Sequence, residues 1–348
     1  MESVAGLDVG VKYSTLCVVS RDDRSMKPVS RHRTVTTPLA IGEWLTAQGI
    51  GRVGLEAGGQ SAWLARELEQ RGVAVTVMET RRQHAFGSYS KIKTDERDAR
   101  LIGEALATGL YTKVHVRSAW SQEVRALLGA RLQLKRQAQQ SRQFIRGQLR
   151  AVGVELGRAI GKKWLLAAET AMAERGGVLG LALKALLASC RVLAEQITVL
   201  DKEIRRLARQ DAPCRRMMTA PGAGLLSSLA LRASLDDADR FARSAEVGPY
   251  LGLTPARWQS GAIDRRGGIT KQGDGLVRAY LYEAAVSLLE RQKRDCALRR
   301  WGLQHQARLG KRRTRVAVAR KLAVLMHKLW RSGQTFDWNR GMEVPSTY

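Results

Sequence analysis

The hydrophobic pattern changes character twice along the chain. Short apolar runs at residues 4–7, 15–19, 53–55 and 73–77, bounded by glycine or polar residues, predict strands. Between and after them, apolar positions recur with helical spacing at 39–47, 61–70 and 95–106. Strands first and helices among them predict an α/β domain over residues 1–117. From 118 to 210 there is no proline, and helical periodicity runs almost unbroken. Within it Leu186, Cys190, Leu193, Ile197, Leu200, Ile204 and Leu207 alternate spacings of four and three, a heptad seam. Both an intramolecular helical hairpin and a dimerising coiled coil produce that seam.

Residues 211–348 return to shorter units and predict a third, mostly helical domain. It opens with the turn Pro221-Gly222-Ala223-Gly224 before an apolar helical run. Helix-hairpin-helix DNA binders use such a turn, with the backbone N–H groups around Gly222 and Gly224 at a helix N-terminus facing a phosphate. Glycine turns are common, so the turn alone specifies little. Helices follow at about 274–289 and 316–330.

Length and charge narrow the function. A chain of 348 residues exceeds what one hydrophobic core serves, and 44% hydrophobic content excludes a largely disordered protein. The formal net charge of +27 favours a polyphosphate partner through counterion release. Arg131, Lys135, Arg136, Arg142, Arg146 and Arg150 fall in one helical stretch, and Lys311, Arg312, Arg313 and Arg315 precede the last helix. Both sets are read as nucleic-acid contacts, against the plainer alternative of a solvated face. No stretch reads as long and apolar enough to span a bilayer, and the N-terminus lacks a signal peptide's order, so a cytoplasmic location is expected. Cys17, Cys190, Cys214 and Cys296 lie far apart without a CxxC pair and read as reduced core residues. The five histidines are likewise scattered, and no organic cofactor is expected.

Four acids carry the chemistry. Asp8 ends the run Ala5-Gly6-Leu7-Asp8, and Glu56 ends Val53-Gly54-Leu55-Glu56. Asp95 and Asp98 open a helix and, three apart, share one of its faces. Clustered carboxylates repel unless they hold cations, and hard oxygen ligands suit magnesium. Two such ions stabilise the attacking and leaving oxygens of a phosphodiester. An acid on the first strand, another at a later strand end and a pair on a helix is the layout of a metal-dependent RNase H-like nuclease.

Together these pieces resemble, nearly end to end, the insertion-sequence-110 family of DEDD-type transposases, which are bridge-RNA-guided DNA recombinases. Asp8, Glu56, Asp95 and Asp98 look like the family's tetrad in its Holliday-resolvase-like domain. Pro221-Gly222-Ala223-Gly224, Gly252-Leu253-Thr254-Pro255, Gln259-Ser260-Gly261, Ile269-Thr270-Lys271-Gln272-Gly273, Leu276 and Arg278 look like its transposase domain. The resemblance implies Ser260 as a nucleophile that forms a phosphoserine–DNA ester with magnesium held by the tetrad. It also implies a structured guide RNA, donor and target duplex DNA, and a homo-oligomer, dimer or tetramer, with composite active sites in the bacterial cytosol. Taken by itself, Ser260 is one serine among many in a common turn pair. Many members carry serine where this chain has Thr270, which leaves Ser260 as the clearer nucleophile. Charge and proximity add Lys93, Arg257, Arg265, Lys271 and Arg278 as phosphate contacts. The rival reading is a junction-resolving or DNA-cutting nuclease that activates water.

Overall fold

Within Ser3–Asp8 (β1) the central residues Val4 to Leu7 are buried, because both faces of the strand are covered. In the computed structural model, which describes residues 3–22, 25–79, 94–157, 161–173, 176–260 and 263–338, the chain divides into two units, 1–117 and 118–348. The first unit holds β1, β2 (Tyr13–Asp22), β3 (Ser25–Val35), β4 (Arg52–Glu56) and β5 (Ala74–Met78) in the order β3-β2-β1-β4-β5. β1, β2 and β3 pair antiparallel, whereas β4 lies parallel to both β1 and β5. Its helices are α1 (Pro38–Ala47), α2 (Ser61–Glu69) and α3 (Asp95–Thr108).

Alternation along the strands sorts side chains to two cores. Ala5, Leu7, Leu16, Val53 and Leu55 pack with Ile41, Leu45, Leu64 and Leu68 of α1 and α2. On the opposite face Val4 and Met78 meet Ile102 and Leu106 of α3, and Cys17 and Val19 meet Ala99. The hydrophobic pattern alone does not predict β3. Its residues 28–35 include no buried side chain, and it forms the sheet edge with Pro28 beside a register shift at Val18/Val19. An edge strand tolerates proline and polar residues, and this removes the apolar signature.

α3 sits unusually close to the sheet. A Cβ added at Gly6 would run into the carbonyl of Ala99 and the backbone of Gly103. One added at Gly103 would lie 2.8 Å from Val19 Cγ2 and 3.2 Å from the Gly6 nitrogen. Gly54 has Met78 Cε at 2.6 Å and Ile102 Cγ2 at 3.2 Å from the same construction. Three glycines therefore set the separation of helix and sheet.

The second unit begins with a helical hairpin. α4 (Ala119–Ala151) and α6 (Gly177–Gln210) pack against each other, and α5 (Lys162–Ala173) joins them near one end. Val124 and Leu128 meet Ile204 and Ala208, while Ile145 and Leu149 meet Leu183, Leu187 and Cys190, so the two long helices run antiparallel. Of the heptad positions, Cys190 and Ile204 are buried and Leu186, Leu193, Ile197, Leu200 and Leu207 are half-buried. The seam thus serves an intramolecular hairpin. α6 also corrects the expectation that no stretch suffices to span a bilayer, because by length and composition this one helix does. Only 22% of its most apolar window is buried, because one face lies on α4 while Val178, Leu181, Val192 and Val199 are exposed.

The remainder of the unit is α7 (Ala212–Met217), α8 (Leu225–Leu235), α9 (Val247–Tyr250), the hairpin β6 (Pro255–Ser260) and β7 (Ile263–Ile269), α10 (Gly275–Val286) and α11 (Ala297–Ser332). Apart from the hairpin, these elements share a core that includes Leu229, Leu231, Leu251, Leu281, Leu288, Leu322 and Met326. All four cysteines are buried free thiols.

Overpacking at the glycine contact is expected to destabilise the first unit. Gly103→Ala should lower its unfolding free energy by about 1–3 kcal/mol in a denaturant titration. Gly129→Ala, on α4 with open space around it, should instead raise stability by about 0.5–1 kcal/mol.

Candidate functional site

Register brings the first two acids together. Leu7 pairs with Leu55 across the parallel β1–β4 ladder, so Asp8 and Glu56 each stand one residue beyond that pair. Gly6 and Gly54, two residues earlier, present their α-carbons to α3, and residues two apart share a face. Asp8 and Glu56 therefore leave the sheet on its α3 side, at the C-terminal ends of adjacent strands. α3 runs back along β1, with Ala99 over Gly6 and Leu106 beside Gly54 and Val4. Its first turn, carrying Asp95, Glu96 and Asp98, consequently lies toward the same strand ends.

Local chemistry fixes the start of that helix. Thr94 is the N-cap, and its hydroxyl accepts from the Arg97 backbone at 3.3 Å. Acids in the first turn are favoured by the helix dipole, by about 0.3–1 kcal/mol each. Glu96 is held by Arg31 at 2.8 Å. Asp8, Glu56 and Asp98 are half-buried, and Asp95 is exposed. Among the described residues no three acid, histidine or cysteine side chains converge closely enough to grip an ion. The carboxylates share one side of the sheet without forming a closed coordination sphere. Carboxylate oxygens are hard donors of the kind a divalent cation takes.

Ser260 belongs to the second unit, as the last residue of β6, exposed and paired with Ile263. Arg257 forms a two-pronged pair with Asp264, at 2.7 and 3.0 Å, whereas Arg265 is exposed opposite Trp258. After the hairpin, Lys271 adopts a left-handed backbone (φ 56°), rare for a residue other than glycine. Its N–H donates to Gly252 O at 3.2 Å, and Thr270 N–H donates to Thr254 O at 2.9 Å. Arg278 donates from the other side to Leu251 O and Gln272 O, at 3.1 and 2.9 Å. Burial pushes its guanidinium below the usual arginine range. Arg278 is thus a brace for this loop, and Lys271 is the exposed cation the loop presents.

The remaining basic residues divide by burial. Arg131 is only 7% exposed and lies inside the hairpin on Asp201 at 2.5 Å, so its charge is taken up within the fold. Lys135, Arg136 and Arg150 are exposed, and Arg142 and Arg146 are half-buried, with Arg146 donating to Gly157 O. Arg315 is engaged by Tyr282 and Glu290. Lys311, Arg312 and Arg313 are exposed and follow a non-helical break at Gly310 (φ 75°, ψ 158°) that starts the second half of α11. Cations at the positive end of a helix are electrostatically misplaced unless an anion joins them. Gly222 answers a different need from phosphate approach. Its φ is +77°, and an added Cβ would lie 2.6 Å from Ala284 O. Gly224 caps α8, with its N–H donated to Ser227 Oγ at 2.9 Å. Lys93 lies outside the described residues. Hydrophobic periodicity gave no signal for Trp258, a large aromatic left exposed on the Ser260 strand.

Comparison with known proteins assigns the chain. Residues 5–153 match a DEDD family of IS110 elements described as "Transposase", and residues 214–300 match "Transposase IS116/IS110/IS902 family". A Pseudomonas aeruginosa protein named "Probable family 20 transposase" is 30% identical over 241 residues, covering 68% of this chain and 71% of that one. The chain belongs to the IS110 family of transposases. It is by that membership an enzyme of the transposase and recombinase class. The transposase of insertion sequence IS1111A from Coxiella burnetii is 26% identical over 342 residues, 96% of this chain and 91% of that one. Among solved structures, Thermus thermophilus RuvC aligns with 32% of this transposase and 99% of its own length, at 13% identity and a TM-score of 0.27. The first family region contains all four acids of this transposase, and the second contains Ser260.

The division of the arginines has a direct test. Arg312→Ala is expected to weaken duplex binding and to reduce the slope of log K against log salt by about 0.9, measured by anisotropy at several salt concentrations. Arg131→Ala should leave that slope unchanged and lower stability by about 1–3 kcal/mol, allowing for the partial exposure of Asp201.

Proposed function

We propose that this IS110-family transposase recombines donor and target DNA through a phosphoserine intermediate on Ser260, assisted by magnesium at Asp8, Glu56, Asp95 and Asp98. The supporting observation is that one chain carries both an acidic strand end and an exposed serine. Asp8 and Glu56 leave one sheet face beside the first turn of α3, and Ser260 stands at the end of a solvent-facing strand.

In the reaction, Ser260 Oγ forms a bond to phosphorus and the bond from phosphorus to the deoxyribose oxygen breaks. The hydroxyl proton passes by way of a carboxylate to the leaving oxygen. A hydroxyl of a different strand then reverses these changes and returns a proton to Ser260, so no external energy source is needed. A divalent ion would supply Lewis-acid stabilisation of the charge that develops on the phosphoryl oxygens. Arg265 and Lys271 would hold the strand beside the serine by its phosphates.

The same proposal assigns the choice of sites to a guide RNA, with the protein binding backbone and shape while base pairing reads sequence. A net charge of +27 suits a chain that carries RNA and two duplexes together. Assembly as a dimer or tetramer would let the acids of one protomer meet Ser260 of another, in the bacterial cytosol at the nucleoid. Val178, Leu181, Val192 and Val199, exposed along α6, offer an apolar surface for self-association.

The deciding experiment combines protein, flanking RNA, labelled element-end and target DNA, and magnesium, followed by a denaturing gel. A covalent protein–DNA band is expected that falls at least about 1,000-fold in Ser260→Ala and in Asp8→Asn, and that disappears on chelation. Cleaved ends without any adduct, unchanged in Ser260→Ala, would establish a water-activating nuclease instead.

A further inference from the structure

The two faces of the β6–β7 hairpin differ in chemistry. Cross-strand partners and residues two apart share a face. The register pairs Trp258 with Arg265 and Ser260 with Ile263, so these four lie on one side of the ribbon. Arg257, Gln259, Asp264 and, by register, Arg266 lie on the other, where Arg257 pairs with Asp264. What sets the serine face apart is Trp258, at 62% exposure, beside Arg265.

That indole is seated. A Cβ added at Gly267 would come 2.7 Å from Trp258 Cζ3 and 3.1 Å from Cη2, so the ring lies against the Gly267 backbone, diagonally across the ribbon. Its seat fixes the ring while much of it faces solvent. A ring held in place and open to solvent can stack on a flat aromatic partner. Trp258 and Ser260 are about 7 Å apart along the strand, no more than about two base steps of 3.4 Å.

We infer that Trp258 is a stacking platform for an unpaired nucleobase adjacent to the scissile phosphate, with Arg265 on the neighbouring phosphate. A base within a duplex has both of its flat faces covered, so the platform receives one only where the strand has opened. The position of that base next to the cut rests on the assignment of Ser260 as nucleophile, whereas base stacking on Trp258 does not.

The test is photocross-linking with 5-iododeoxyuridine, scanned one position at a time through the terminal nucleotides of the element DNA, bound to full-length protein and flanking RNA. Mass spectrometry is expected to map the cross-link to Trp258 for iodouracil within two nucleotides of the cut. Trp258→Ala should abolish it, and Gly267→Val should do so by filling the seat, while Trp258→Phe and Ser260→Ala retain it. Affinity of Trp258→Ala for DNA with an unpaired base at that position should fall about tenfold, with fully paired DNA unaffected. Cross-links that map only elsewhere, or equal affinity of wild type and Trp258→Ala for both DNAs, would overturn the inference. So would a Trp258→Ala protein that changes only its oligomeric state, since a second copy would then cover the ring. Loss of the Ser260 assignment with the Trp258 cross-link intact would leave the platform standing as a binding site.

Discussion

Contact between α3 and the sheet is the constraint on which the acidic site depends. Helices pack on sheets at a distance set by side chains, and here Gly6, Gly54 and Gly103 remove those side chains at the crossing. The helix then settles against β1 and β4 with backbone nearly touching backbone. Its first turn is carried to the strand ends where Asp8 and Glu56 emerge. A helix held farther out would carry Asp98 away from them. Val4, Met78, Ile102 and Leu106 pack across that crossing and hold the helix in place.

The second unit solves the opposite electrostatic problem, an excess of arginine. Some of these cations are built into the fold. Arg232 lies between the rings of Trp120 and Trp330, at 4.9 and 4.7 Å, and reaches Asp211 and the Asp236 carbonyl. Asp236 in turn accepts from the Ser118 backbone and from the hydroxyls of Ser118 and Ser121, which anchors the start of α4. Arg125 meets Asp274, the N-cap of α10, so one carboxylate joins the long helical hairpin to the element that follows the Ser260 ribbon. The cations at 135, 136 and 311–313 stay exposed. Structural arginines thus stiffen the frame, and exposed ones give it its electrostatic field.

Most helices and four of the five sheet strands could be read from the residues, because covered strands and half-buried helices leave strong periodic signatures. β3 could not, since an edge strand without buried side chains has no such signature. The heptad through Leu186–Leu207 was legible as a seam, but periodicity is the same whether the partner helix is α4 or a second molecule. Arg131 looked like its neighbours Lys135 and Arg136 in sequence, and only Asp201 on the facing helix distinguishes it. The hydrophobic run of α6 was underestimated because its apolar residues are spread over two faces, one inside the hairpin and one exposed.

By itself, the sequence determined most element types, the strongly basic balance, and four carboxylates and one serine as candidates. These are local properties, carried by residue type and spacing. Tertiary structure alone decided that Asp8 and Glu56 share a face with the α3 turn, which arginines are taken up, and that Trp258 lies on Gly267 beside Ser260. The physical reason is that strand register, helix–sheet separation and the choice of ion-pair partner are set by residues distant along the chain, and their positions become mutual only once the chain has packed.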